Sequence, residues 1–262
     1  MAKAKKLIVA NWKMNPETPR EAKDLYQKTK KLTLKLVNTE TVICPPAVFL
    51  GFLNHRSSKN FHLGVQDISM EKGVGAFTGS LSAGQIKYTG AEYTIVGHSE
   101  KRASGDTDEK INVKVKNALS AGLSVILCIG EKVRDTHGDY LNILKNQLEL
   151  SLAGLKKTQF ADIVIAYEPV WAIGKDATGV DTPDNFLHNA LFIRKVISGL
   201  AGKEAAHTIQ VLYGGSVSPK NAEGFLGVGK ADGLLVGRAC LDPKNFGEIL
   251  RLSEVVAKTQ TK

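Results

Sequence analysis

DIVIAYEPVWAIG (162–174) opens on an acid, runs through five apolar residues and then stops at a glutamate followed by a proline. Five residues are short for a helix, and Ile163, Val164 and Ile165 are β-branched. The run does not alternate with polar residues, so neither face meets water, as in a parallel strand covered on both sides. Pro169 has no N–H with which to extend the ladder. The strand therefore ends at Glu168 and leaves a carboxyl at its C-terminal tip.

Seven other runs have the same character: LIVAN (7–11), TVIC (41–44), FHLGVQD (61–67), EYTIVGH (92–98), SVILCIG (124–130), TIQVLYG (208–214) and GLLVG (233–237). Between most of them lie stretches with helical spacing. INVKVKNALSAG places Val113, Ala118 and Leu119 near one stripe, and LNILKNQLELSLAGL and NFLHNALFIRKVISGL repeat apolar residues at helical intervals. Alternating strand and helix predicts a parallel sheet with helical crossovers. An open doubly wound sheet satisfies that alternation, but eight units over 262 residues fit a closed (β/α)8 barrel better. No Gly, Ser or Pro linker divides the chain, so residues 1–262 are expected to form one domain.

Polar groups gather where the strands end: Asn11 and Lys13, Gln66, His98, Glu131, Glu168, Gly214-Gly215-Ser216, and Gly237-Arg238. In a closed barrel these tips form one rim. Glu168 can be a strand-end carboxylate facing water. It can also be a base, if Tyr167, Pro169, Val170 and Trp171 wall it off from solvent. His98 is either a structural histidine at a strand end or a donor: it precedes a helix start at Ser99-Glu100, where positive dipole charge disfavours imidazolium, and a neutral ring still donates a hydrogen bond. Lys13 is either a fixed charge at the rim or one more surface lysine. Asn11 can bind a substrate oxygen or its own backbone. The glycines near Ser216 and Gly237 suit tight turns and equally a phosphate cradle of bare N–H groups.

Other chemistries fit poorly. GVGAFTG (73–79) has the wrong spacing for a dinucleotide loop and no strand before it. His55, His62, His98, His137, His188 and His207 include no HxH or HExxH pair, and neither GxxxxGK[ST] nor GxSxG occurs. Cys44, Cys128 and Cys240 are odd in number and lack a CxxC, which favours a reducing cytosol over a disulfide framework. No apolar run nears the roughly 20 residues that span a bilayer. MAKAKKLIVANWK leads straight into Asn11-Trp12-Lys13 and reads as a first strand, not a leader. The net charge of +9 is concentrated: residues 1–36 hold ten Lys/Arg against three Asp/Glu. EAKDLYQKTKKLTLKL places these lysines on an amphipathic segment with a single aromatic, Tyr26, short of the interleaved series of a stacking platform, so it reads as a solvated helix face and not a nucleic-acid platform.

The motifs ANWKMN (10–15), GAFTG (75–79), VGHSEKR (96–102), CIGE (128–131), AYEPVWAIG (166–174), YGGSV (213–217) and DGLLVG (232–237), in this order, resemble the triosephosphate isomerase family from end to end. The resemblance implies a TIM barrel that interconverts dihydroxyacetone phosphate and glyceraldehyde 3-phosphate through an enediolate, in glycolysis and gluconeogenesis. It implies a cytoplasmic homodimer with no metal or organic cofactor. Carried over by motif, Glu168 is the proton-shuttling base, His98 a neutral electrophile and Lys13 an electrostatic clamp, with Asn11 beside the substrate oxygens. Glu100 supports Lys13, and Cys128 packs near the base. N–H groups of Gly174, Ser216 and Gly237-Arg238 hold the phosphate. GAFTG is the dimer loop, with Thr78 reaching the neighbouring site, and Pro169-Val170-Trp171 is one hinge of a lid.

The chain departs from the family pattern in three places. KDATGVDTP (175–183) is two residues longer than the usual lid and puts Asp176 where a second glycine is expected. The usual VGGA becomes Val236-Gly237-Arg238-Ala239, and HSERR becomes His98-Ser99-Glu100-Lys101-Arg102. The altered lid raises a second expectation, a phosphosugar-binding protein of the same descent whose chemistry has slowed.

Overall fold

A computed structural model describes residues 5–53, 58–135, 137–174 and 177–260. Eight strands among them close into a parallel barrel in sequence order. They are β1 (Lys6–Asn11), β2 (Thr39–Cys44), β3 (Phe61–Val65), β4 (Tyr93–Val96), β5 (Ser124–Ile129), β6 (Ile163–Tyr167), β7 (Gln210–Tyr213) and β8 (Gly233–Val236). β8 pairs with β1, which closes the ring.

Successive residues of each strand point to opposite faces, and the barrel builds two apolar layers from this alternation. Leu7, Val9, Val42, Ile95, Ile126, Val164, Ala166, Leu212 and Leu235 fill the barrel interior. Ile8, Ala10, Ile43, Leu127, Ile165, Tyr167, Val211 and Leu234 form a second layer with the helices. Both faces are buried, hence the continuous apolar runs. Truncating one such side chain, Leu212→Ala for example, removes about 2–5 kcal/mol of stability. Gly233 cannot carry a side chain, since a Cβ there would lie 1.8 Å from the Leu7 carbonyl oxygen.

The helices among the described residues are α1 (Pro19–Thr33), α2 (Leu50–Leu53), α3 (Ala83–Tyr88), α4 (Ser99–Ala103), α5 (Asp108–Ser120), α6 (Tyr140–Ser151), α7 (Pro183–Ala201), α8 (Lys203–Thr208), α9 (Ala222–Gly227) and α10 (Pro243–Thr259). Three long ones start alike, on a capping side chain followed by proline: Thr18-Pro19, Thr182-Pro183 and Asp242-Pro243. The cap satisfies a free N–H, and the proline fills a position where no donor is needed. α1 buries Ala22, Leu25 and Tyr26 and leaves its lysines on the outer face. The stripe expected on α5 is different. Ile111, Val115 and Ala118 pack inward with Asn112 and Lys114, while Val113 is exposed. Lys114 is tolerated inside because Asp67 and Asp106 lie 2.9 and 2.7 Å from its Nζ. No helix among the described residues is long and apolar enough to cross a membrane.

Candidate active site

Glu168 continues the inward-facing row of Val164 and Ala166 by one further step, so its side chain enters the mouth of the barrel. It is 2% exposed. One carboxylate oxygen accepts the Ser99 N–H at 2.9 Å, and the other lies 3.1 Å from His98 Nε2. Asn11, Gly214 and Gly237 follow the same inward parity on β1, β7 and β8. Gly214 must be small: a Cβ there would come 3.0 Å from Glu168 Cγ.

His98 would face the outer layer if β4 simply continued. Gly97, at φ +75°, turns the chain and swings the ring into the mouth. His98 then precedes α4, and its Nδ1 accepts the Glu100 N–H at 3.2 Å. An accepting Nδ1 puts the ring proton on Nε2, which therefore donates toward Glu168.

Lys13 has a φ of +52°, unusual for a residue with a Cβ. Both sides hold it there. Its N–H donates to Asn11 Oδ1 at 3.0 Å, and its carbonyl accepts from Gln66 Nε2 at 2.7 Å. Lys13 Nζ meets Glu100 Oε1 at 2.6 Å. Partial burial opposes ionisation of Glu100, but the hydrogen bond and charge of Lys13, with His98, hold its carboxyl below the usual range. Cys128 lies fully buried near Glu168; burial, then the Glu168 charge, pushes its thiol well above the ordinary value. It packs as a neutral group and not as a nucleophile.

Asn11, Lys13, His98, Glu100 and Glu168 line a single cavity of about 870 Å³ together with Gly174, Ser216, Gly237 and Arg238. A basin of about 580 Å³ adjoins it, shares Asn11, Lys13, His98 and Glu100, and is walled by segments near 65–71 and 79–81. Thr78 is exposed and lines neither cavity. Among the described residues no three or more His, Cys, Asp or Glu side chains gather as a metal site. Asp176 lies outside the described residues, as does His55.

Two sequence expectations need correction. Glu131 is not a rim group. It has the outward parity of Ile129, is fully buried, and its Oε1 accepts from Tyr167 Oη, Trp171 Nε1 and Arg134. Tyr167 likewise turns outward, packing on Phe186, so it is not part of a wall around Glu168. Gln66 braces backbone, bonding the carbonyls of Lys13 and Cys44. The Ser99 N–H is a contact of Glu168 that residue types alone did not reveal, although the helix start that supplies it is visible in the sequence.

The family model described as triosephosphate isomerase matches residues 6–253. A protein named triosephosphate isomerase from Geobacter metallireducens is 41% identical over 247 residues, covering 93% of this chain and 97% of its own. Its namesake from Citrifermentans bemidjiense is 41% identical over 253 residues, covering 95% and 99%. One from Clostridium novyi is 36% identical with the same coverage.

Proposed function

The chain belongs to the triosephosphate isomerase family, and on that premise we propose that Glu168, His98 and Lys13 carry the reaction in a cavity that Asn11, Gly174, Ser216, Gly237 and Arg238 complete. The activity is triosephosphate isomerisation, an aldose–ketose interconversion of glycolysis. The observation that supports the assignment best is the convergence of a buried carboxylate, a neutral imidazole donor and a lysine on one cavity that also holds the glycine-rich tips of β7 and β8.

The substrate phosphate rests on N–H groups of Gly174, Ser216, Gly237 and Arg238. Its two reacting carbons then lie between Glu168 and His98. Glu168 leaves the Ser99 N–H and takes the carbon-bound proton beside the carbonyl. The electron pair of that C–H bond forms the enediolate double bond, and negative charge builds on the former carbonyl oxygen. His98 Nε2–H and Lys13 Nζ face that oxygen. Donors fixed before the reaction stabilise the charge without reorganising. Returning the proton to the neighbouring carbon, with transfer of the hydroxyl proton, gives the isomer. Glu100 fixes Lys13, and Cys128 supports the base from below.

We read the chain as one domain that works as a homodimer in the cytoplasm. Met14, Val48, Phe52, Val74 and Phe77 are exposed apolar residues that follow the adjacent strands β1, β2 and β3. A neighbour's Thr78 loop seated in the adjoining basin would cover them. The free cysteines suit a reducing compartment. Mass measurement in solution tests the dimer, with twice the chain mass expected and chain mass alone contradicting it. Isomerisation run in D2O tests the chemistry. Solvent deuterium should appear on the carbon that receives the proton; turnover without any deuterium would argue against an exchangeable base.

A further inference from the structure

Resting on the reading above, we propose that the side chain of Arg238, and not only its backbone N–H, grips the substrate phosphate and sets the affinity of this site for a dianion.

The argument is one of charge and availability. Three carboxylates line the cavity, Glu100, Glu168 and Asp242, and three cations, Lys13, Lys220 and Arg238. All three carboxylates are engaged. Glu100 holds Lys13 at 2.6 Å. Glu168 is bonded to Ser99 N–H and faces His98. Asp242 caps α10, accepting from Lys244 N–H at 2.8 Å and Asn245 Nδ2 at 2.9 Å. No acid of the lining is left for Arg238. Among the described residues its guanidinium makes no hydrogen bond or ion pair, and Arg238 is exposed and belongs to the lining of the cavity.

Without Arg238 the lining would carry one net negative charge, which is unfavourable for a substrate bearing about two negative charges. With it the lining is neutral, and a cation without a partner among the described residues stands next to Gly237, whose N–H is assigned to the phosphate. The backbone that carries Arg238 is close to the chemistry: the point where a Cβ of the preceding Gly237 would sit is 3.6 Å from Lys13 Cε. A guanidinium offers two parallel donors to phosphate oxygens, which an ammonium does not. Because it has no partner among the described residues, binding phosphate breaks no ion pair there. The grip acts on a part of the substrate that does not react. It therefore strengthens ground state and transition state alike, and belongs in KM and not in kcat.

The test uses the full chain with Arg238→Ala, Arg238→Lys and, as a control for net charge, Arg251→Ala, which lies outside the cavity on α10 and pairs with Glu248. Inorganic phosphate serves as a competitive probe independent of turnover. Arg238→Ala should raise KM and the phosphate inhibition constant about tenfold each, leave kcat within twofold, and flatten the dependence of KM on ionic strength. Arg238→Lys should recover part of the loss, and Arg251→Ala should change none of these. Phosphate affinity and KM within twofold of wild type in Arg238→Ala would overturn the proposal alone, as would an equal effect from Arg251→Ala. Failure of phosphate to compete in the wild type would overturn the phosphate cradle as well.

Discussion

His98 Nε2 lies 3.1 Å from Glu168 Oε1, while His98 Nδ1 accepts the N–H of Glu100. The two contacts together fix one tautomer. Nitrogen NMR of the labelled ring should show a bare, hydrogen-bond-accepting Nδ1 and a protonated Nε2. A proton on Nδ1 would remove His98 as the donor to the enediolate oxygen.

Gly214 limits where the Glu168 carboxylate can stand. A methyl group at this position would sit 3.0 Å from Glu168 Cγ and 3.2 Å from the Tyr167 carbonyl oxygen. The carboxylate must shift by a few tenths of an ångström or more. Gly214→Ala should lower kcat roughly ten- to hundredfold while phosphate inhibition stays near wild type, because misplacing a reacting group costs rate more than binding. Unchanged kcat would mean that the base tolerates the shift.

Asp181 is 5% exposed, and one of its oxygens is buried without a partner among the described residues. Burial raises its pKa, and the nearby Glu131 charge adds to this, against the N–H of Thr182 and the side chains of Asn185 and Arg134. The folded chain thus holds this proton more tightly than the unfolded chain. The resulting stability is present below the ordinary aspartate value of 3.8 and is lost as pH rises through the raised folded value. Asp181→Asn does not ionise and escapes the loss. Its Tm should exceed that of wild type by a margin that widens as pH rises from the ordinary aspartate value through the raised folded one and is constant above it. A pH-independent difference, or a lower Tm at neutral pH, would contradict this.

The barrel was legible because its strands are buried on both faces, which makes them apolar without interruption and countable. Strand ends were also legible, since Pro169 and the glycines near 97, 214 and 237 interrupt the pattern chemically. What each end residue does was harder to read. Glu131 and Glu168 look alike in one dimension, each an acid just past an apolar run. Parity separates them: Glu168 follows Ala166 into the barrel, and Glu131 follows Ile129 outward to Tyr167 and Trp171. His98 breaks its own parity because Gly97 adopts a positive φ, a backbone fact that residue types alone do not give. The inward face of α5 was misread for a related reason. Lys114 looks like a surface residue until Asp67 and Asp106, 47 and 8 positions away, are seen to neutralise it.

The account centres on Glu168 as the group that moves the proton. The most direct measurement is kcat of Glu168→Gln beside the phosphate inhibition constant of the same sample, which reports whether the cavity is intact. Loss of about 10²–10⁴ in kcat with phosphate binding near wild type is the predicted result. A kcat within tenfold of wild type, with phosphate bound equally well, would show that the proton is taken by another group.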